Sequence, residues 1–205
     1  MIRYFYGSQM EQHAELAAEM FRDRATQFRD RMGWDVTVDD MGWETDQYDV
    51  LDPLYVVVED EKGHHAGSMR FLPTTGRTML AEIFPHLVDH RPISSPDVWE
   101  CTRFCLSPNA SGRVAQMLLL AASELGLAIG VRQSLGVFDR PMVRVYRRLG
   151  WSPEMLGHRD GIAAGLWTFS EEVHAKLCAD TGIEPEALRR AFETALEGLP
   201  LPVRA

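Results

Sequence analysis

Nowhere in the 205 residues does an apolar run reach the roughly 18 that a membrane-spanning helix needs, so no membrane partner is expected. Cysteine is scarce as well. Of the three cysteines, Cys101 and Cys105 stand in one strand-like run, roughly 13 Å apart at about 3.3 Å per residue, too far to bridge each other. No CxxC spacing is present, so no bound metal is expected. Positive charge is in deficit: 21 Lys and Arg stand against 30 Asp and Glu, a net charge of −9. That balance disfavours nucleic acid as a partner, because phosphate contacts need a basic surface. Residues 1–6 lack the apolar core of a secretory leader, which predicts a cytoplasmic protein. Internal repeats and low-complexity stretches are also missing. What remains, 45% hydrophobic and 25% charged residues, is the composition of one globular domain over residues 1–205, long enough to bury a core.

Leu16, Met20, Phe21 and Phe28 recur at helical spacing, which predicts a helix over residues 11–32. Residues 33–53 lose all periodicity and are rich in Asp, Gly and Trp. An irregular stretch of about 20 residues in a compact domain is usually functional, and a mobile loop that takes a cosubstrate is expected there. Strands are predicted at 54–59, 65–72, 98–106, 134–138, 155–158 and 162–169. Helices are predicted at 79–87, 113–129 and 141–149, with two more at 171–179 and 184–197 in a C-terminal region, 171–205. This alternation predicts an α/β or α+β sandwich with a mixed central sheet.

Several charged residues break the pattern. Arg24 falls four residues after Met20 and four before Phe28, on the apolar stripe of the first helix. Two readings stand: a snorkelling arginine with a packed stem, or a guanidinium aimed into a cleft to pair with a carboxylate or phosphate. Asp46 and Asp49 are turn formers by residue type, yet an acidic pair near Trp34 also suits a flat, cationic ligand. Arg70, Glu100 and Arg103 bring charge into strands where Val or Ile is usual, an edge-strand pattern when each is taken singly. Glu100 and Arg103 differ by three positions, which sends them to opposite faces of a regular strand. An irregularity is therefore predicted between residues 100 and 106, since bulges cluster beside active sites. Residues 109–112 lead from a strand into a helix N-terminus, either a phosphate-receiving turn or an ordinary connector.

Taken in order, Arg24, Phe28, Trp34, Asp46, Asp49, Arg70, Glu100 and Arg103 resemble the signature of the LuxI-type acyl-homoserine lactone synthases, the autoinducer synthases of bacterial quorum sensing. The wording around them agrees: Asp46-Gln47-Tyr48-Asp49, Ser68-Met69-Arg70-Phe71, Trp99-Glu100 followed by Arg103-Phe104, and later Arg147-Arg148-Leu149-Gly150-Trp151. The match covers roughly residues 20–155.

The resemblance implies a GNAT-like, three-layer α/β/α sandwich with a mixed, largely antiparallel sheet. It also implies transfer of an acyl chain from acyl carrier protein or acyl-coenzyme A to the amine of S-adenosylmethionine, then lactonisation and release of methylthioadenosine. Both compounds are substrates, and no cofactor is implied. An ordinary N-acetyltransferase using acetyl-coenzyme A is the alternative, but its Q/R-x-x-G-x-G/A turn is absent, with Gly112 the one glycine there. On this resemblance Phe28 and Trp34 wall the adenosylmethionine site, while Arg24, Asp46 and Asp49 order the loop and its charges. Glu100 is the candidate base, directly or through water, with Arg70 and Arg103 as its electrostatic partners or as organisers of the site. The expected acyl tunnel comprises Phe104, Met117, Leu118, Leu135, Val137, Phe138, Met142 and Tyr146. With no threonine in the strand at 134–138, an unsubstituted or 3-hydroxy chain is favoured over a 3-oxo chain. Arg140, Arg144, Arg147 and Arg148 form the expected dock for an acidic carrier protein.

Overall fold

The computed structural model describes residues 1–197, so the part of the predicted C-terminal region at 198–205 lies outside the described residues. Seven strands form one sheet: β1 (Ile2–Tyr6), β2 (Leu54–Glu59), β3 (His65–Pro73), β4 (Val98–Leu106), β5 (Gln133–Asp139), β6 (Glu154–Arg159) and β7 (Ile162–Thr168). Their order is β1-β2-β3-β4-β5-β7-β6. Every neighbouring pair is antiparallel except β4 and β5, which run parallel. The helices are α1 (Ala14–Ala25), α2 (Met79–Glu82), α3 (Arg113–Ile129), α4 (Met142–Leu149), α5 (Glu171–Thr181) and α6 (Pro185–Ala195). Among the described residues no helix is long and apolar enough to cross a membrane.

The main core lies between the sheet and α3, α5 and α6. The apolar run of α3 reflects this placement: Leu118, Leu120 and Ala121 are wholly buried, and each leucine so placed contributes about 1.5–3 kcal/mol. Gly130, in the left-handed region at φ 72°, ends that helix. On the opposite face α1 sets Leu16, Met20 and Phe21 against Phe5, Tyr55 and Val57, and a third cluster joins α2 to β5 and β7. His65 clasps α1 to the sheet, one ring nitrogen 2.6 Å from Asp23 and the other 3.0 Å from the Ser68 hydroxyl.

Some boundaries differ from expectation. No element was predicted at residues 2–6, which form edge strand β1. The first helix divides into a 3-10 segment (Gly7–His13), α1 and a π-helical turn (Thr26–Arg31). The helix expected over 79–87 stops after one turn and resumes as a 3-10 segment from Pro85, whose ring and missing N–H break the helical ladder.

The predicted irregularity in β4 is present. Ser68 pairs with Cys105 but Arg70 with Thr102, so two steps along β3 match three along β4. Arg103 sits within this bulge in the left-handed region, at φ 54°. Beyond it the sheet splits: β4 and β5 pair only from Val98 with Gln133 to Cys101 with Gly136.

Candidate active site

Strand register assembles the polar centre. Phe5, Tyr55, Arg70 and Thr102 are successive cross-strand partners, so their side chains share the face covered by α1 and the loop at 33–53. Glu100, two residues before Thr102, projects to the same side. The bulge adds one residue and brings Arg103 to that face as well, which regular alternation forbids.

Three arginines meet three carboxylates there. Arg24, 1% exposed, donates from Nε to Glu44 at 2.6 Å and from its fork to both oxygens of Asp49 at 3.0 and 2.9 Å. Arg70, wholly buried, donates to Asp46 at 2.6 and 2.9 Å, to Asp49 at 2.7 Å and to the Thr102 hydroxyl at 3.0 Å. Arg103 reaches Glu44 and Asp46, each at 2.8 Å. The Tyr55 hydroxyl donates to Asp49 at 2.7 Å. Burial alone would push the Asp49 carboxyl up, but the charges and hydrogen bonds of Arg24 and Arg70 outweigh it and hold Asp49 far below the usual range. Asp46 is likewise held low, burial being outweighed by Arg70 and Arg103.

Of the two readings of Arg24, the pairing one holds. The acids are taken up by arginines, so Asp46 and Asp49 fasten the loop and leave no free carboxylate pair for a cationic ligand. Arg70 and Arg103 organise the site through Glu44, Asp46 and Asp49 and form no ion pair with Glu100, although the charge of Arg70 favours the ionised form of Glu100. Both oxygens of buried Glu100 instead accept backbone N–H groups at the start of α2, from Met79 at 2.8 Å and Leu80 at 2.7 Å. Burial pushes its carboxyl up despite those two bonds. Glu44, the partner shared by Arg24 and Arg103, was missed. It lies in the aperiodic loop, where no spacing or periodicity set it apart from the other acids.

Beside this cluster opens a cavity of about 1130 Å³. Its polar end is walled by Phe28, Trp34, Glu44, Asp46 and Arg103, and its apolar end by Phe104, Leu106, Val137, Phe138, Met142 and Tyr146. Phe28 and Trp34 stack at 5.1 Å between ring centroids and 6° between planes, and the Arg103 guanidinium lies over the Phe28 ring, 5.4 Å from its centroid. The π-helical turn at Thr26–Arg31 sets this spacing: Trp34 N–H donates to the Phe28 carbonyl at 2.8 Å. The polar end lies on the α1 face and the apolar end reaches the α3 face, so the cavity passes through the sheet where β4 and β5 part.

Among the expected tunnel residues, Phe104, Val137, Phe138, Met142 and Tyr146 line the cavity. Met117, Leu118 and Leu135 do not. Met117 and Leu118 pack in the α3 core, and Leu135, partner of Glu100 across the β4–β5 pair, points to the α2 side. Val145 and Ile162 line it without having been expected. Arg140, Arg144, Arg147 and Arg148 are exposed around α4, whose inner residues Met142, Val145 and Tyr146 face the cavity. Among the described residues none of the four makes an ion pair.

A mixed sheet that splits between two parallel strands, with a cleft through the gap, defines a GNAT-like fold. The family model described as autoinducer synthase matches residues 8–166. An acyl-homoserine-lactone synthase of Rhizobium etli is 44% identical over 178 residues, 82% of this chain and 84% of its own. One from Aeromonas salmonicida is 36% identical over 159 residues, 74% of this chain and 76% of its own. The solved structure of MesI, a CoA-dependent acyl-homoserine lactone synthase, has a TM-score of 0.79 at 26% identity, covering 90% of this chain and 96% of that one. A GNAT-family acetyltransferase from Listeria monocytogenes shares the fold alone, with a TM-score of 0.50 at 17% identity over 82% of this chain and 94% of that one. The chain belongs to the autoinducer synthase family and is an acyl-homoserine-lactone synthase.

Proposed function

We propose that the enzyme moves an acyl chain from the thioester of an acyl carrier protein to the amine of S-adenosylmethionine, forming an N-acyl-homoserine lactone signal. The observation that carries this reading is the through-sheet cavity, which joins a polar, aromatic-walled mouth to an apolar arm. Adenosylmethionine takes the mouth, its adenine against Trp34 and Phe28, and the acyl chain takes the arm. The thioester carbonyl lies at the bulge, where residues 103–104 fall outside the β3–β4 register and their N–H groups can polarise it.

The amine must lose a proton before its lone pair can attack the carbonyl carbon and expel the carrier thiolate. Glu100 accepts that proton through water, because it does not itself line the cavity, whereas Met79, whose N–H it holds, does. Arg24, Arg70 and Asp49 hold the loop, and Glu44, Asp46 and Arg103 do so while also facing the cavity. The homoserine carboxylate then attacks the carbon beside the sulfonium. The C–S bond breaks with its electron pair going to sulfur, and neutral methylthioadenosine leaves. Both substrates arrive activated, as thioester and sulfonium, so the chemistry requires no cofactor.

The exposed arginines around α4 favour an acidic carrier protein as donor. Acyl-coenzyme A is the second reading, favoured by the likeness to CoA-dependent MesI. Replacing Glu100 by Gln tests the base: acylation should fall steeply while adenosylmethionine still binds. The acid limb of the kcat/KM profile, set above the ordinary carboxylate range by burial of Glu100, should disappear. A normal turnover rate in that variant would overturn the role.

A further inference from the structure

Met79 of α2 and Tyr48 of the 33–53 loop both line the cavity. Helix α2 is a single turn of four residues, too short to hold its own shape in water, so each of its ends needs an anchor. At the N-terminus Glu100 takes the Met79 and Leu80 N–H groups, and the Thr78 hydroxyl accepts the Ala81 N–H at 3.3 Å. At the C-terminus the anchor is Glu82. One of its oxygens accepts the Tyr48 hydroxyl and Nη2 of Arg77, each at 2.9 Å, and the other accepts Nε of Arg77 at 2.7 Å. Tyr48 is itself fixed. It is 2% exposed, its backbone N–H donates to Asp46 at 2.8 Å, and the guanidinium groups of Arg70 and Arg77 each lie 5.6 Å from its ring centroid.

These contacts close a ring. The loop holds Tyr48, Tyr48 holds Glu82, α2 passes the constraint to Glu100, and β4 returns it through Arg103 to Asp46 of the same loop. Arg77 and Glu82 are 51% and 34% exposed, so their ion pair adds little to the stability of the fold. We propose that Tyr48, Arg77 and Glu82 form a latch that fixes α2 against the cosubstrate loop, so that Glu100 meets the substrate amine in one geometry. All three are positioning residues, and their role presupposes Glu100 as the base proposed above. The latch keeps its charges at working pH: Arg77 and then Tyr48 hold the Glu82 carboxyl below its usual value, and burial together with Glu82 pushes the Tyr48 hydroxyl up to about 12. Glu100 responds to α2 instead. Burial pushes its carboxyl up and Asp46 adds to the rise, while the Leu80 and Met79 N–H groups and the Arg70 charge oppose it. An α2 that drifts withdraws those N–H groups, and the Glu100 carboxyl rises further.

The test measures rates of lactone formation against pH for the wild type, Tyr48→Phe, Glu82→Ala and the double variant, with thermal unfolding beside them. Alanine preserves the helical propensity of α2, so Glu82→Ala removes the anchor and spares the turn. Each single variant should lower kcat about tenfold or more, while the KM for the acyl donor stays within about twofold. The acid limb of the profile should move to higher pH. The double variant should be no slower than the slower single one, because the two residues act as a unit. Glu82→Ala, at the surface, carries the test if Tyr48→Phe does not fold. A wild-type kcat with an unmoved limb in a folded variant overturns the latch alone, and so does a loss of thermal stability that leaves the limb in place. A normal rate in Glu100→Gln overturns the base, and the latch with it.

Discussion

Glu44 ties Arg24 on α1 to Arg103 on β4, and both arginines depend on it for charge balance. Removing one member of a buried ion network leaves charge uncompensated, at a cost of about 3–5 kcal/mol. Glu44→Ala should therefore lower unfolding stability by about 3 kcal/mol, measured by urea denaturation. Asp49 adds a pH signature. Its folded-state pKa lies below its unfolded value, so its stabilisation is complete above the unfolded pKa near 4 and is lost as pH falls through the folded one. Stability of the wild type should decline with acid below about pH 4, and Asp49→Asn should flatten that decline while lowering stability at neutral pH. Arg24, Asp46, Asp49, Arg70 and Arg103 were legible because each breaks an apolar period or belongs to a spaced signature. The partner of each was not, since pairing depends on how an aperiodic loop folds over the sheet.

At the level of an element, the proposed function rests on the β4 bulge and the α4 helix. Spacing alone made the bulge readable: Glu100 and Arg103 could not share a face without an extra residue, and the register shift supplies it. The residues facing the cavity were less legible. Met117 and Leu118 have the same apolar character as Phe104 and Tyr146, and only the α3 packing separates core from tunnel. Helical spacing did place Arg144 and Arg148 on the outer side of α4, away from buried Tyr146. Reversing both charges, as Arg144→Glu with Arg148→Glu, should raise the KM for acyl carrier protein about tenfold at low salt and much less at high salt. An unchanged KM would indicate acyl-coenzyme A as the donor.

Across the whole molecule, the net charge of −9 conceals two local fields. Three of the seven acids of the 33–53 loop, Glu44, Asp46 and Asp49, are neutralised by Arg24, Arg70 and Arg103, and the exposed arginines around α4 stand apart from them beside the apolar arm. The layered sandwich was readable from alternating periods, whereas the gap between β4 and β5 was not. No local pattern marks where two parallel strands stop pairing, yet that gap connects the polar and apolar ends of the cavity through the sheet. The central claim is that one cleft joins adenosylmethionine to an acyl thioester. Its most direct test incubates the enzyme with labelled adenosylmethionine and acyl carrier protein or acyl-coenzyme A thioesters, and follows products by mass spectrometry. Equimolar acyl-homoserine lactone and methylthioadenosine are the predicted result; acylated amines without lactone, or no consumption of adenosylmethionine, would contradict it.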